Sequence, residues 1–113
     1  MDKKYAAQEA ITHSMMGSLG LKLIEEKEGF IRASMPVNDN TSQPFGVLCG
    51  GASLAFAEII AGYGSYLCCP EGFIPVVSSV SGNHVSSVRK APDVLVYAEA
   101  TALHLGRTTH LWN

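Results

Sequence analysis

Glu58 is the residue of this sequence whose chemical setting most needs an explanation. It lies within residues 50–67, a largely apolar stretch with no other charged side chain. Its immediate neighbours are apolar, namely Phe56, Ala57, Ile59 and Ile60. A carboxylate in an apolar helix loses hydration, so it needs a compensating partner or a function, unless it faces solvent at the helix edge. Beside a reactive carbonyl group, it can act as a general base toward water or as a nucleophile.

Gly50 and Gly51 lie where the preceding loop enters this predicted helix. The first backbone N–H groups of a helix have no partner within it, and they lie at the positive end of the helix dipole. They therefore form a candidate oxyanion site, and the missing side chains let a carbonyl group approach the backbone. The alternative is that the glycines serve only a tight turn. Gln43, in the loop before them, has an amide that can donate to the same carbonyl.

Cys49 directly precedes Gly50, and it allows two interpretations. In the first, its thiol is a nucleophile and His84 is the base that activates it. In the second, Cys49 is a packing residue beside a buried helix, which we favour because cysteine often behaves as a small apolar side chain. His84 is likewise either a site residue or a half-buried strand histidine that hydrogen-bonds to backbone groups.

Composition limits the class of protein. The chain has 113 residues, of which 47% are hydrophobic and 16% charged, with a formal net charge of -2. These values are typical of one compact soluble domain, and they leave no broad cationic face for nucleic acid. We expect no signal peptide, because Glu9 and His13 interrupt the apolar positions near the N-terminus, and we expect no membrane span. Its three cysteines lack zinc-site spacing, so we expect reduced thiols, a cytoplasmic protein and no metal.

The first half of the chain predicts a short helix followed by a hairpin. Apolar residues at helical spacing indicate an amphipathic helix over residues 5–16. Residues 21–24 and 30–35 flank a charged, glycine-containing turn, which predicts two antiparallel strands. Residues 36–46 are rich in Asn, Asp, Ser, Gln and Pro, which is typical of a loop.

The second half predicts a buried helix and two long strands. Residues 50–67 are apolar on nearly every side, so this helix should be buried. Residues 75–88 and 94–103 are rich in Val, Ser, Ala and Thr, and they should be strands joined by a turn at 89–93. The predicted fold class is α+β, with an antiparallel sheet that wraps around one long central helix.

Three motifs in this order resemble a known family. They are TSQPFGVLCGGASLAFAE at residues 41–58, NHVSSVRKA at 83–91 and LHLGRTT at 103–109. Together they resemble the hotdog-fold acyl-CoA thioesterases, in the phenylacetate-type and aromatic acyl-CoA branch that includes 4-hydroxybenzoyl-CoA and 1,4-dihydroxy-2-naphthoyl-CoA hydrolases. The resemblance implies a single hotdog domain over residues 1–113 that lacks the family's C-terminal strand.

The resemblance also implies roles for the residues of the motifs. Glu58 is the expected catalytic carboxylate, and Gly50 and Gln43 are expected to polarise the thioester carbonyl. Cys49 is a departure, because the family usually has histidine there to help place the substrate or the departing thiolate. A second departure is Gly62, where the family often has Ser or Thr to orient the carboxylate; Ser65 lies nearly two turns after Glu58.

Further residues are expected to bind the substrate. The acyl pocket should include His84, Tyr63 and Phe45, and the phosphates of coenzyme A should meet Arg89 and Arg107 in preference to Lys90. The expected reaction is the hydrolysis of an aromatic or medium-chain acyl-CoA, without metal or prosthetic cofactor. The expected assembly is a homodimer or homotetramer with sites shared between subunits. A non-catalytic acyl-CoA-binding protein is the alternative, and a dehydratase of the same fold is a weaker one.

Overall fold

The N-terminal segment forms two helices rather than one. The structure is a computed structural model that describes residues 3–113, with side chains from Gln8 onward. Helix α1 is Lys3–Thr12 and helix α2 is Met15–Ser18. The prediction of one helix over residues 5–16 was wrong because Ser14 interrupts it. The Ser14 hydroxyl donates to the carbonyl of Ile11 and accepts from the N–H of Met16, so it ends α1 and caps α2.

A four-stranded antiparallel sheet forms the base of the fold. Its strands are β1 (Lys22–Lys27), β2 (Phe30–Pro36), β3 (Leu95–Leu105) and β4 (His110–Trp112), in the spatial order β1-β2-β3-β4. The predicted hairpin and the predicted strand at 94–103 are confirmed. Gly29, in the two-residue turn of the hairpin, has a φ of 77°, a conformation that favours glycine.

Helix α3 (Gly50–Cys68) packs across one face of this sheet, against β2 and β3. The core between them consists of Ile31, Ala33, Met35, Phe56, Ile60 and Ala100, with Met16 and Leu21 from the N-terminal segment. Small residues face each other in the middle of the sheet, where Ala33 pairs with Ala98. They leave room for the larger Phe56 and Ile60 side chains of the helix. This long central helix on an antiparallel sheet confirms the predicted α+β class.

Burial of α3 is one-sided within this chain. Its buried residues are Phe56, Ile60, Gly64 and Ser65, which face the sheet. Near its end the helix approaches β4 so closely that a Cβ atom on Gly64 would lie 2.6 Å from Trp112 Cη2. On the other side, Ala57 is exposed and Glu58 is half-buried. The expectation that the helix is surrounded on nearly every side therefore holds for the sheet side only.

The predicted strand at residues 75–88 was wrong. This segment contains no regular strand, and most of its side chains are exposed, including Val76 and Val85. The composition favours extended backbone, but a strand also needs a neighbour to pair with. Within the described part of the chain, no backbone–backbone hydrogen bond joins residues 75–87 to another segment. Pairing begins only at Val88, whose carbonyl accepts from the N–H of Leu48 at 2.8 Å.

The predicted loop at residues 36–46 contains one turn of 3-10 helix, Asp39–Thr41. Asn38 and Thr41 form a reciprocal capping box around this turn. The buried Thr41 hydroxyl also donates to the carbonyl of Pro36 at 2.7 Å, which fixes the path of the loop toward α3. Over residues 3–113, none of the helices has the length and apolar character needed to cross a membrane.

Candidate functional site

Two loop segments meet just before α3 and define the candidate site. The N–H of Gln43 donates to the carbonyl of Val47 at 2.8 Å, which closes a tight turn. Val47, which follows this turn, forms an antiparallel bridge with Arg89. Arg89 ends the extended residues 75–89, which are called the extended segment below. The N–H of Lys90 also donates to the carbonyl of Gly46 at 2.9 Å. These bonds hold the residues after His84 beside the start of α3.

The start of α3 presents free backbone donors, as predicted. Cys49 occupies the N-cap position, and its side chain forms no capping hydrogen bond. The N–H groups of Ala52 and Ser53 both donate to the carbonyl of Cys49. Among the described residues, those of Gly50 and Gly51 find no backbone acceptor. Two aligned N–H groups at a helix start are suited to bind a carbonyl oxygen that gains negative charge.

Gln43 lies next to this helix start, as the sequence predicts. Its side-chain Nε2 donates to Cys49 Sγ at 3.4 Å. A thiol sulfur is a weak hydrogen-bond acceptor, so a stronger acceptor such as a carbonyl oxygen can replace it as the partner of the Gln43 amide. Cys49 is half-buried, and its thiol is free. The structure therefore brings together the amide of Gln43, the sulfur of Cys49 and the N–H of Gly50.

His84 completes this cluster, and its contact with Gly50 is close. A Cβ atom placed on Gly50 would lie 3.0 Å from His84 Nε2 and 3.1 Å from Cδ2. The imidazole thus occupies the space that a side chain at position 50 would need. His84 is exposed and lies on the extended segment, so the prediction of a half-buried strand histidine was wrong. Its imidazole lies beside Gly50, and the alternative, a role in the site, stays a prediction.

The extended segment follows the outward side of α3 in the opposite direction. A Cβ atom on Gly62 would lie 3.9 Å from Val77 Cγ2, and one on Gly82 would lie 3.4 Å from Leu54 Cδ1. With the contact between His84 and Gly50, these distances show that the segment runs from the middle of α3 to its start. Leu54, Glu58 and Gly62 are spaced by four residues, so they share this side of the helix.

Glu58 lies on the outward side of α3, away from the core residues of the sheet. Its carboxylate forms no hydrogen bond or ion pair with the described residues, which leaves it available to a water molecule or a ligand. Eight residues separate it from Gly50, a rise of about 12 Å along the helix axis. Within one chain, Glu58 and the N–H of Gly50 are therefore too far apart to act on the same carbonyl group.

Tyr63 lies apart from this cluster. It packs against the edge of the core, near Glu26 of β1. Burial raises the pKa of Tyr63 to about 12, and the negative charge of the nearby Glu26 acts in the same direction. The structure thus places Tyr63 at the sheet rather than beside Gly50 or Glu58.

The remaining predicted residues are on the surface. Phe45 is 74% exposed in the turn between Gln43 and Val47, close to the cluster. Arg89 is exposed next to the same turn, whereas Arg107 is exposed in the turn between β3 and β4. Lys90 Nζ contacts Asp39 Oδ1 at 2.7 Å, and this hydrogen bond lowers the pKa of Asp39. Lys90 is therefore already paired with a carboxylate.

Sequence reasoning missed a second polar cluster, at the end of α3. The buried Ser65 hydroxyl accepts a hydrogen bond from Trp112 Nε1 at 2.8 Å, and His110 Nδ1 lies 2.7 Å from the same oxygen. Ser65 is therefore committed to β4, and it does not compensate for Gly62 by orienting Glu58. The sequence signal was the pair Gly64 and Ser65, because small residues on a helix permit a close approach by a bulky neighbour.

Comparison with known proteins yields one consistent family. Residues 45–113 match the family described as the Thioesterase superfamily. The chain is 38% identical over 100 residues to a 1,4-dihydroxy-2-naphthoyl-CoA hydrolase from Escherichia coli; the match covers 88% of this chain and 71% of that protein. A crystal structure of a mutant thioesterase from Pseudomonas aeruginosa has a TM-score of 0.84 at 37% identity, covering 96% of this chain and 76% of the other.

A second solved structure agrees with the first. The crystal structure of a thioesterase from Haemophilus influenzae has a TM-score of 0.83 at 38% identity, and it covers 94% of this chain and 72% of that one. Both comparisons cover more than nine-tenths of this chain. They confirm the hotdog fold that the sequence motifs predicted.

Proposed function

This chain belongs to the thioesterase superfamily, and from that premise we propose that it hydrolyses an acyl-CoA thioester to a free acid and coenzyme A. The observation that carries the proposal is the convergence of Gln43 and the free N–H of Gly50 at the start of α3. A thioester carbonyl bound there would receive two hydrogen bonds, which strengthen as its oxygen becomes negative. The similarity to a hydrolase of an aromatic acyl-CoA favours an aromatic acyl group over a medium-chain one.

Glu58 supplies the attacking half of the reaction in this proposal. As a general base, its carboxylate removes a proton from water, and the hydroxide formed adds to the thioester carbon. As a nucleophile, it adds to that carbon itself and forms a mixed anhydride, which water then hydrolyses. Both routes need an unpaired carboxylate on the outward side of α3, and Glu58 meets this requirement among the described residues.

The proposed active site includes two copies of the chain. The rise of about 12 Å between Gly50 and Glu58 keeps the two groups of one chain from serving the same carbonyl. We therefore infer a homodimer or homotetramer, in which Glu58 of one copy faces Gln43 and Gly50 of another. Light scattering at the assay concentration tests the assembly. An active monomer would contradict it.

The substrate is expected to lie across the outward side of α3. His84 and Phe45 would border the thioester and the acyl group, and Tyr63 would contribute only if that group reached the edge of the core. The guanidinium groups of Arg89 and Arg107 are both exposed, and we propose that they pair with the phosphates of coenzyme A. Among the described residues, no disulfide joins the three cysteines, which supports a reducing compartment such as the cytoplasm.

The experiment that tests this function measures thiol release from a panel of aromatic and aliphatic acyl-CoA substrates. Glu58→Gln should lower kcat by about 100-fold or more, because a positioned base contributes rate factors of roughly 10² to 10⁴. Substrate affinity should change little, because the carboxylate acts as the thioester is attacked. An adjacent variant in the same helix, Ala57→Ser, is the matched control, because Ala57 is exposed.

Two results would contradict the proposal in different ways. If Glu58→Gln turned over the best substrate at nearly the parent rate, Glu58 would not be the catalytic carboxylate. If the parent protein bound acyl-CoA without releasing thiol, the alternative of a non-catalytic acyl-CoA-binding protein would be correct.

A further inference from the structure

We propose that His84 is the general acid that protonates the departing thiolate, a role that rests on the proposed thioester hydrolysis. The basis is the contact between its imidazole and Gly50, where Nε2 lies 3.0 Å from the position a Cβ atom would occupy. The cluster at the helix start contains three polar side chains, those of Gln43, Cys49 and His84. Of these, the imidazole is the side chain that enzymes use most often to transfer a proton to a reacting group.

The other two side chains are poorly suited to this step. The Gln43 amide donates a hydrogen bond but does not transfer its proton, and it faces the sulfur of Cys49. Cys49 has a thiol, which is a weak hydrogen-bond donor. Glu58 of the same chain is about 12 Å further along the helix axis. His84 is therefore the proton donor that the described residues place beside Gly50.

The path of the extended segment also places His84 near the sulfur. Arg89 lies five residues after His84, which corresponds to about 16 Å of extended chain. A coenzyme A arm that runs along this segment, with phosphates at Arg89, carries its sulfur toward His84 and Gly50. The carbonyl oxygen would then point to the N–H of Gly50 and the amide of Gln43. The His84 imidazole would then be the group that faces the sulfur.

The proposed step balances without any further reactant. Water or Glu58 has added to the thioester carbon, and the resulting tetrahedral oxyanion is bound at the helix start. The C–S bond then breaks, its electron pair stays on sulfur, and the proton on the His84 ring moves to that sulfur. Because His84 is exposed, solvent returns a proton to the imidazole, and the proton that Glu58 takes from the attacking water passes on to solvent.

The test uses two thioesters of the same aromatic acid that differ in their leaving group. One is the coenzyme A ester, whose alkyl thiolate gains much from protonation. The other is an ester of an acidic aryl thiol, whose thiolate departs without such help. We expect His84→Ala to lower kcat for the coenzyme A ester by about 100-fold and for the aryl ester by less than about 10-fold. Asn83→Ala, at the exposed neighbouring position, is the matched control.

The outcomes separate this inference from the function on which it rests. Equal losses for both esters in His84→Ala, or a change in KM alone, would overturn the role of His84 while the parent remained an active thioesterase. Glu58→Gln should slow both esters, because attack on the carbonyl precedes departure of either thiol. A parent protein inactive toward both esters would instead refute the proposed hydrolysis, and the role of His84 with it.

Discussion

Replacing Ser65 by alanine should destabilise the fold by about 2 kcal/mol, because Ser65 joins α3 to β4. Its hydroxyl accepts from Trp112 Nε1 at 2.8 Å and contacts His110 Nδ1 at 2.7 Å. Ser65 is only 5% exposed, so water can hardly replace the lost oxygen. Leaving a buried donor unsatisfied costs roughly 1–3 kcal/mol, and losing a second hydrogen bond costs about 1 kcal/mol. Alanine has a better helix propensity than serine, which offsets about 0.5 kcal/mol of this loss of stability.

Urea denaturation at one fixed protein concentration measures this change, because the stability of an oligomer depends on concentration. Ser53→Ala is the matched control. Ser53 lies in the same helix and is half-buried, and its hydroxyl forms no hydrogen bond with the described residues. We expect that control to change the free energy of unfolding by less than about 0.5 kcal/mol. If the two variants were equally stable, the proposed cost of the unsatisfied donor would be wrong.

A double-mutant cycle tests whether the Trp112 indole N–H is the donor to the Ser65 hydroxyl. In a Trp112→Phe background the indole N–H is absent, so Ser65→Ala should cost less than it does in the parent protein. The difference between the two costs is the coupling between the hydroxyl and the indole. A coupling near zero would show that Trp112 packs on the helix without a hydrogen bond that matters to stability.

Two further predictions concern the cysteine at the helix start and the tyrosine at the sheet. Cys49→Ala should reduce kcat by less than about 10-fold, which is the value of one weak hydrogen bond. Cys49→His should raise kcat. If a folded Cys49→Ala protein lost all turnover, Cys49 would instead be the nucleophile. The raised pKa of Tyr63 means that the folded protein holds this proton more tightly than the unfolded chain, whose tyrosine pKa is 10.0. Its contribution to stability is complete below pH 10 and is lost as the pH rises toward 12, so the parent should lose stability relative to Tyr63→Phe across that range. Absorbance titration of phenolate should show one fewer late-ionising group in Tyr63→Phe, and identical titrations would contradict the assignment.

Much of the fold could be predicted from local sequence. The two short segments that flank the charged turn ending at Gly29 predicted the hairpin of β1 and β2, since these signals lie within a few residues of each other. The apolar run after Gly50 predicted α3 to within one residue of its end, Cys68. The three motifs predicted the family, and the residues they contain include the cluster of Gln43, Cys49, Gly50 and His84.

Other features depended on tertiary structure. Residues 75–88 have the composition of a strand, yet the structure leaves them extended along α3 with almost no backbone pairing. The contact between His84 and Gly50 joins residues 34 positions apart. The distance between Gly50 and Glu58 follows from helix geometry alone. The side of α3 on which Glu58 lies became clear only from the contacts of this helix with the extended segment.

The physical reason is the range over which each property is determined. Helix propensity, apolar periodicity and turn conformation depend on neighbours a few residues away, so the sequence of Gly50–Cys68 or of the hairpin contains them directly. A strand exists only when another segment satisfies its N–H and C=O groups, and a side-chain partner such as Trp112 for Ser65 is set by the packing of distant elements. The sequence by itself therefore determined the elements and the candidate chemistry, whereas the tertiary structure decided which elements pair and which residues meet.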